Sequence, residues 1–165
     1  MATFRGIAAI GTGVLALLDD AWARDPFVAD TMETSLIRAE DLKERPFAFG
    51  VTLLVHRVAV SGTSRNTPPT VDGPRRPLSF EVDFVVIAWG PSVQRELELL
   101  GWCMRVLDDE PVLTPALLNR AVPSVFAATE IVQVVANPLP LAAHSRLGDD
   151  RLSAAYTARA AGLEL

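Results

Sequence analysis

The stretch Leu78–Trp89 constrains the fold more than any other part of the chain. Leu78, Phe80, Val82, Phe84, Val86 and Ala88 form an unbroken apolar set at period two, the repeat of a β-strand. The residues between them change character along the stretch: Ser79, Glu81 and Asp83 are polar, whereas Val85, Ile87 and Trp89 are apolar. A strand written this way is buried on one face throughout. On the other face it is buried at its C-terminal end and half-exposed at its start.

A second strand is expected over residues 49–60. Phe49, Val51, Leu53 and Val55 take one face, and Thr52, Leu54, His56 and Val58 take the other. Apolar residues on both faces point to a central strand covered on both sides. The two strands are separated by residues 61–77, where Pro68, Pro69, Pro74 and Pro77, with Gly62 and Gly73, block helix and ladder alike. This loop also carries Arg65, Arg75 and Arg76. A loop of this length is either functional or a solvated hairpin tip, and neither reading outranks the other.

Helical periodicity flanks the strands. In residues 6–22, Ile7, Gly11, Val14, Leu15, Leu18 and Trp22 share one face, with Arg5, Thr12 and Asp19 opposite. The run up to Leu18 followed by Ala21-Trp22-Ala23 is also the outline of a secretory signal. Asp19 and Asp20 sit where such signals are uncharged, and the run falls short of the about 20 residues that span a bilayer. A core-facing amphipathic helix is the expectation, with no insertion into a membrane. A second helix follows Gly90-Pro91, with Ser92 as its N-cap. Its expected core face is Val93, Leu97, Leu100, Met104 and Leu107, with Gln94, Glu98 and Arg105 outside, and Pro111 stops it.

The remaining elements are shorter. Residues 34–38 suit a short strand, and residues 41–45 form a charged turn closed by Pro46. Residues 114–120 suit a short helix opened by Pro115. Residues 129–136 read as a strand, Asn137-Pro138 as the start of a helix that Gly148 ends, and residues 152–161 as a closing strand. There, Leu152, Ala154, Tyr156, Ala158 and Ala160 alternate against Ser153, Thr157 and Arg159. No repeat or linker divides the 165 residues, so a single α+β domain is expected: a mixed, largely antiparallel sheet packed by helices.

Chemistry is hard to find. A net charge of −5 argues against a nucleic-acid partner. Lys43 is the single lysine; a genomic preference for arginine outranks an interface role as its reason. Cys103 is alone, so no internal disulfide forms, and its apolar neighbours suit an inert buried thiol. His56 and His144 lack the further nitrogen or sulfur ligands that a metal needs. Adjacent His144 and Ser145 point apart on a helix. Gly6, Gly11 and Gly13 follow no strand and precede no Lys-Ser or Lys-Thr, so they suit close helix packing rather than phosphate. No catalytic residue or cofactor is expected.

Asp108-Asp109-Glu110 is the odd feature, because carboxylates at a helix C-terminus oppose the macrodipole. A solvated exit turn is the first reading. A contact with arginines across a subunit boundary is the second, and an acid–base pair the third.

Taken in order, several segments resemble a known family. Glu98-Leu99-Leu100-Gly101, continuing through Arg105-Val106-Leu107-Asp108-Asp109 to Pro111-Val112-Leu113, is similar to the helix-and-exit signature of the cap, or tail-terminator, family of contractile injection systems. Arg65-Asn66 with its proline-rich loop, Pro77-Leu78, and residues 152–159 fit in the same order. The resemblance implies a phage tail-terminator fold and a homohexameric ring. The ring would sit on the last layer of the inner tube and contact the last layer of the contractile sheath, in a cytoplasmic, phage-tail-like particle, without catalysis.

Such a ring needs two different complementary surfaces on each subunit. Arg65, Arg75 and Arg76 on one side, and Asp108, Asp109 and Glu110 on the other, are the candidates for subunit or tube contact. Tyr156, Thr157 and Arg159 on the final strand are the candidates for a sheath contact by strand addition. A monomeric protein- or ligand-binding adaptor is the alternative, followed by an enzyme whose site is gathered from distant residues.

Overall fold

A computed structural model describes residues 5–60, 78–137 and 152–163. The elements run α1 (Gly6–Arg24), β1 (Glu33–Ile37), a 3-10 turn (Ala39–Lys43), β2 (Gly50–Val60), β3 (Leu78–Trp89), α2 (Val93–Asp109), β4 (Val112–Leu113), α3 (Pro115–Leu118), β5 (Val132–Ala136) and β6 (Ser153–Leu163). The strands form one six-stranded sheet in the order β1-β2-β3-β6-β5-β4. β1 is parallel to β2, and the other pairings are antiparallel, so the sheet is mixed and largely antiparallel as the pattern of strands implied.

β3 is the spine, and it follows its sequence. Phe80, Val82, Phe84, Val86 and Ala88 enter the main core beneath the helices, joined by Val51 and Leu53 of β2 and by Tyr156, Ala158 and Ala160 of β6. On the opposite face Val85, Ile87 and Trp89 form a second, smaller core with Leu54 and with Leu42 of the 3-10 turn. Trp89 Nε1 donates to the buried Thr52 Oγ1 at 2.8 Å, so the indole satisfies its one polar group inside that core. β2 differs from the expectation of cover on both sides. It is buried through Leu54 and open from His56 onward, because β1 and the 3-10 turn accompany only its first half.

α1 is buried over more than one face. Gly11 faces the Leu36 side chain of β1, and Gly13 lies under Leu118 of α3; a Cβ on either would sit 3.0 and 3.1 Å from these leucines. The glycines serve close packing. By length and composition α1 is apolar enough to cross a membrane, yet here most of it is enclosed in the core. Its far end packs Trp22 edge-to-face against Trp102 of α2, centroids 5.1 Å apart.

The face of α2 is a correction. Ser92 caps it, accepting from the Arg95 amide at 3.3 Å, but the buried residues are Leu99, Leu100, Cys103 and Leu107. Val93, Leu97 and Met104 are exposed instead, at 65%, 51% and 48%. The helix carries two overlapping apolar wedges that share Leu100 and Leu107, and period alone does not select between them. β4 was not anticipated. β5 starts at Val132 because residues before it turn, with the Ala127 amide donating to Glu130 Oε2 at 2.7 Å. The helix expected after Asn137, with His144, lies outside the described residues, as does the loop of residues 61–77.

Candidate interaction surfaces

The acidic turn at the end of α2 is largely neutralised within the chain. Arg105 Nε donates to Asp109 Oδ2 at 2.8 Å, one helical turn away. Glu110 accepts from Arg24 at the C-terminal end of α1, which ties that helix to the α2 exit. Arg120 adds a bidentate contact to Asp20 at 2.8 and 2.7 Å, and it holds the Asp20 carboxyl below the usual carboxylate range. Asp108 is exposed and has no ion-pair partner among the described residues. Of the three carboxylates singled out by sequence, this one keeps its charge free. Their expected partners Arg65, Arg75 and Arg76 lie outside the described residues.

The three candidate residues of β6 separate. Tyr156 is buried on the helix side, stacked on Phe84 with centroids 5.8 Å apart. Thr157 is buried on the opposite face, where its hydroxyl donates to Asp83 Oδ1 at 2.6 Å and accepts from Asn137 Nδ2 at 2.7 Å. Only Arg159 is exposed, pairing with Glu81 across the strands at 3.3 Å. From Tyr156 to Ala160 the strand is paired with β3 on one side and β5 on the other. That part of β6 therefore has no free edge for strand addition, and Tyr156 and Thr157 face the two sides of the sheet from its interior.

The network around Asp83 links three strands, β2, β3 and β6, to Asn137 just past β5, on the face opposite the helices. Asp83 also accepts from Arg57 of β2, at 3.1 Å, so each oxygen of its buried carboxylate has a hydrogen-bond donor. The ladder shifts between Val55 and Arg57, leaving His56 as the bulged residue. Partial burial pushes the His56 imidazole below its ordinary value, opposed by the Asp83 charge. Burial likewise pushes the Cys103 thiol up to about 12, which leaves it inert at neutral pH. No group of three or more potential metal ligands occurs among the described residues.

Two surface features escaped the sequence reading. The first is a groove of about 620 Å³ between the C-terminal half of α2 and β5, lined by Gly101, Met104, Asp108, Val134, Ala136 and Tyr156 among others. The second is the overhang of β2. β1 pairs with β2 only as far as Leu54, and beyond it Val58 and Val60 are exposed at 46% and 40%. Strand periodicity does mark these valines as apolar, but only the sheet order shows that no described strand pairs outside them.

The fold is thus that of an α+β protein whose informative features are strand edges and a groove rather than a cluster of reactive groups. Residues 10–164 match the family model described as the Pvc16 N-terminal domain, and the chain belongs to that family. Among solved structures it is similar to the PVC sheath/tube terminator of an extracellular contractile injection system, seen by cryo-EM in the extended state. The TM-score is 0.55 at 12% sequence identity, over 91% of this chain and 55% of that one. The chain therefore spans about half the length of the terminator it matches. No curated protein matches the sequence.

Proposed function

We propose that the chain is a structural terminator: a ring that ends the inner tube of a contractile injection particle and binds its last sheath layer. The observation that carries this reading is the family match from residue 10 to residue 164, which spans every strand of the sheet. The terminator-like fold supports it. The ring is a homohexamer within a soluble, assembled particle built in the cytoplasm. It acts through surfaces, without catalysis, cofactor, nucleic acid or membrane insertion.

Charge assigns part of the contacts. Asp109 and Glu110 are engaged within the chain, so Asp108 is the acidic residue left to meet a neighbouring subunit or the tube. Arg65, Arg75 and Arg76 are the basic counterpart, and Arg159, exposed on β6 and paired there with Glu81, is the residue of that strand assigned to the sheath. Reversing the charge of all three loop arginines is expected to weaken ring assembly or tube binding.

The test is the mass of the protein in solution, alone and with its cognate tube and sheath proteins. A discrete species of about six copies that captures the tube protein is the expected result. A concentration-independent monomer that ignores both partners contradicts the proposal and favours an adaptor.

A further inference from the structure

Among the described residues the sheet is unfinished at both edges, and the two unfinished stretches suit each other. On one side β2 continues for residues 55–60 beyond the end of its pairing with β1. On the other side β4 pairs only with Val132 and Gln133 of β5. The Val134 amide still donates to the Pro111 carbonyl at 2.7 Å, but Ala136 has no strand outside it among the described residues. Open edges present unpaired backbone donors and acceptors, which is the chemistry that an added strand satisfies.

The side chains at the two edges are complementary. Val58 and Val60 pair in register with Val82 and Phe80, so they project to the helix side of the sheet, where both are exposed and lie outside the main core among the described residues. At the opposite edge, the groove beside β5 opens on the same side. It offers Met104, Tyr156, Val134 and Ala136, and a Cβ placed on Gly101 meets nothing within 4 Å. Two exposed valines at alternate positions of a strand are the apolar teeth that such a groove takes.

Strand directions agree as well. Three successive antiparallel pairings lead from β2 through β3 and β6 to β5, so β2 runs opposite to β5. A second copy set beside the first without inversion brings its β2 antiparallel to the neighbour's β5. The offset imposed by β1 on one edge and β4 on the other becomes a stagger between copies, which a closed sheet absorbs by tilting its strands.

We propose that the β2 overhang of one copy docks as an added strand beside β5 of the next copy. Val58 and Val60 then enter the groove between α2 and β5. The interface is heterologous, each copy giving one edge and receiving the other, as ring closure requires. This deepens the terminator reading and rests on it. The bulge at His56 and the charge of Arg57 keep the overhang from pairing indiscriminately with other strands.

A crosslinking experiment on assembled protein tests this. Cys103 is buried and its thiol is pushed up to about 12, so engineered surface thiols react in its place. The Val58→Cys/Met104→Cys double variant with a short bismaleimide is expected to yield a ladder of covalent oligomers. A mixture of the two single variants is expected to stop at a dimer of one copy of each, and neither single variant alone to crosslink. A dimer from Val58→Cys alone means a two-fold contact and overturns the proposal. A ring by mass that shows no Val58–Met104 crosslink overturns the edge pairing and leaves the terminator reading standing. A monomer that persists with tube and sheath proteins present overturns both. As an independent check, Val58→Glu/Val60→Glu is expected to keep the wild-type thermal midpoint while weakening assembly at least tenfold; unchanged assembly contradicts the pairing.

Discussion

The two ends of the sheet are made of the same two strands and differ in nearly everything else. Where β2 and β3 carry Leu53, Leu54, Val85, Ile87 and Trp89, both faces are covered and these side chains are buried. Where the same strands carry Val58, Val60, Glu81 and Asp83, one face is a polar network and no described strand pairs with the outer edge of β2. The covered end supplies stability through burial, and at the other end β2 exposes Val58 and Val60 along an edge that no described strand pairs. A protein that acts through its surfaces needs this division, because a residue committed to the core cannot also bind.

Substitutions at the two ends should therefore separate stability from assembly. The largest effect is expected for Trp89→Ala, which empties the second core and strands the Thr52 hydroxyl; urea titration should show a loss of about 3–5 kcal/mol. Gly50→Ala comes next, because its Cβ would lie 2.1 Å from the Glu33 carbonyl oxygen. The strain between β1 and β2 should cost about 1–3 kcal/mol in the same titration. At the boundary between the two ends, Asp83→Ala leaves the Thr157 hydroxyl and Arg57 without their acceptor, and about 1–3 kcal/mol is expected. If Trp89→Ala were no more costly than Asp83→Ala, the contrast between the ends would fail.

The smallest effect is electrostatic. The Arg120 contact lowers the Asp20 carboxyl below its ordinary value, so the pair contributes stability above the ordinary carboxylate pKa and loses it as pH falls through the lower folded value. Both side chains are about half exposed, so the contribution is heavily screened. Wild type should exceed Asp20→Asn slightly in thermal midpoint at pH 7, and the gap should close in acid and at high salt.

Much of this contrast was legible in β3 alone. The switch from Ser79, Glu81 and Asp83 to Val85, Ile87 and Trp89 on one face marks where the second cover begins. The strand positions followed because period two is strong in residues buried against helices. The face of α2 was not legible, since Leu99 and Cys103 compete with Val93, Leu97 and Met104 for the core and only the packing against β3 selects between them. The candidate contacts fared unevenly for a related reason. The charges of Asp109 and Glu110 are visible in sequence, but the intrachain partners that quench them are set by folding. Arg105 is four residues from Asp109, and Arg24 reaches Glu110 from 86 residues away. For Tyr156 and Thr157, alternation marks the face each side chain takes, whereas the pairing on either side of β6 is set by sheet order.

The most direct test is to visualise where the protein sits on its particle. Cognate inner tubes assembled with and without the gold-labelled protein should be measured by electron microscopy for length and label position. Termination predicts label at one end of each tube and a length distribution that shortens as protein is added. Label scattered along the tubes, or absent from them with an unchanged length distribution, would contradict it.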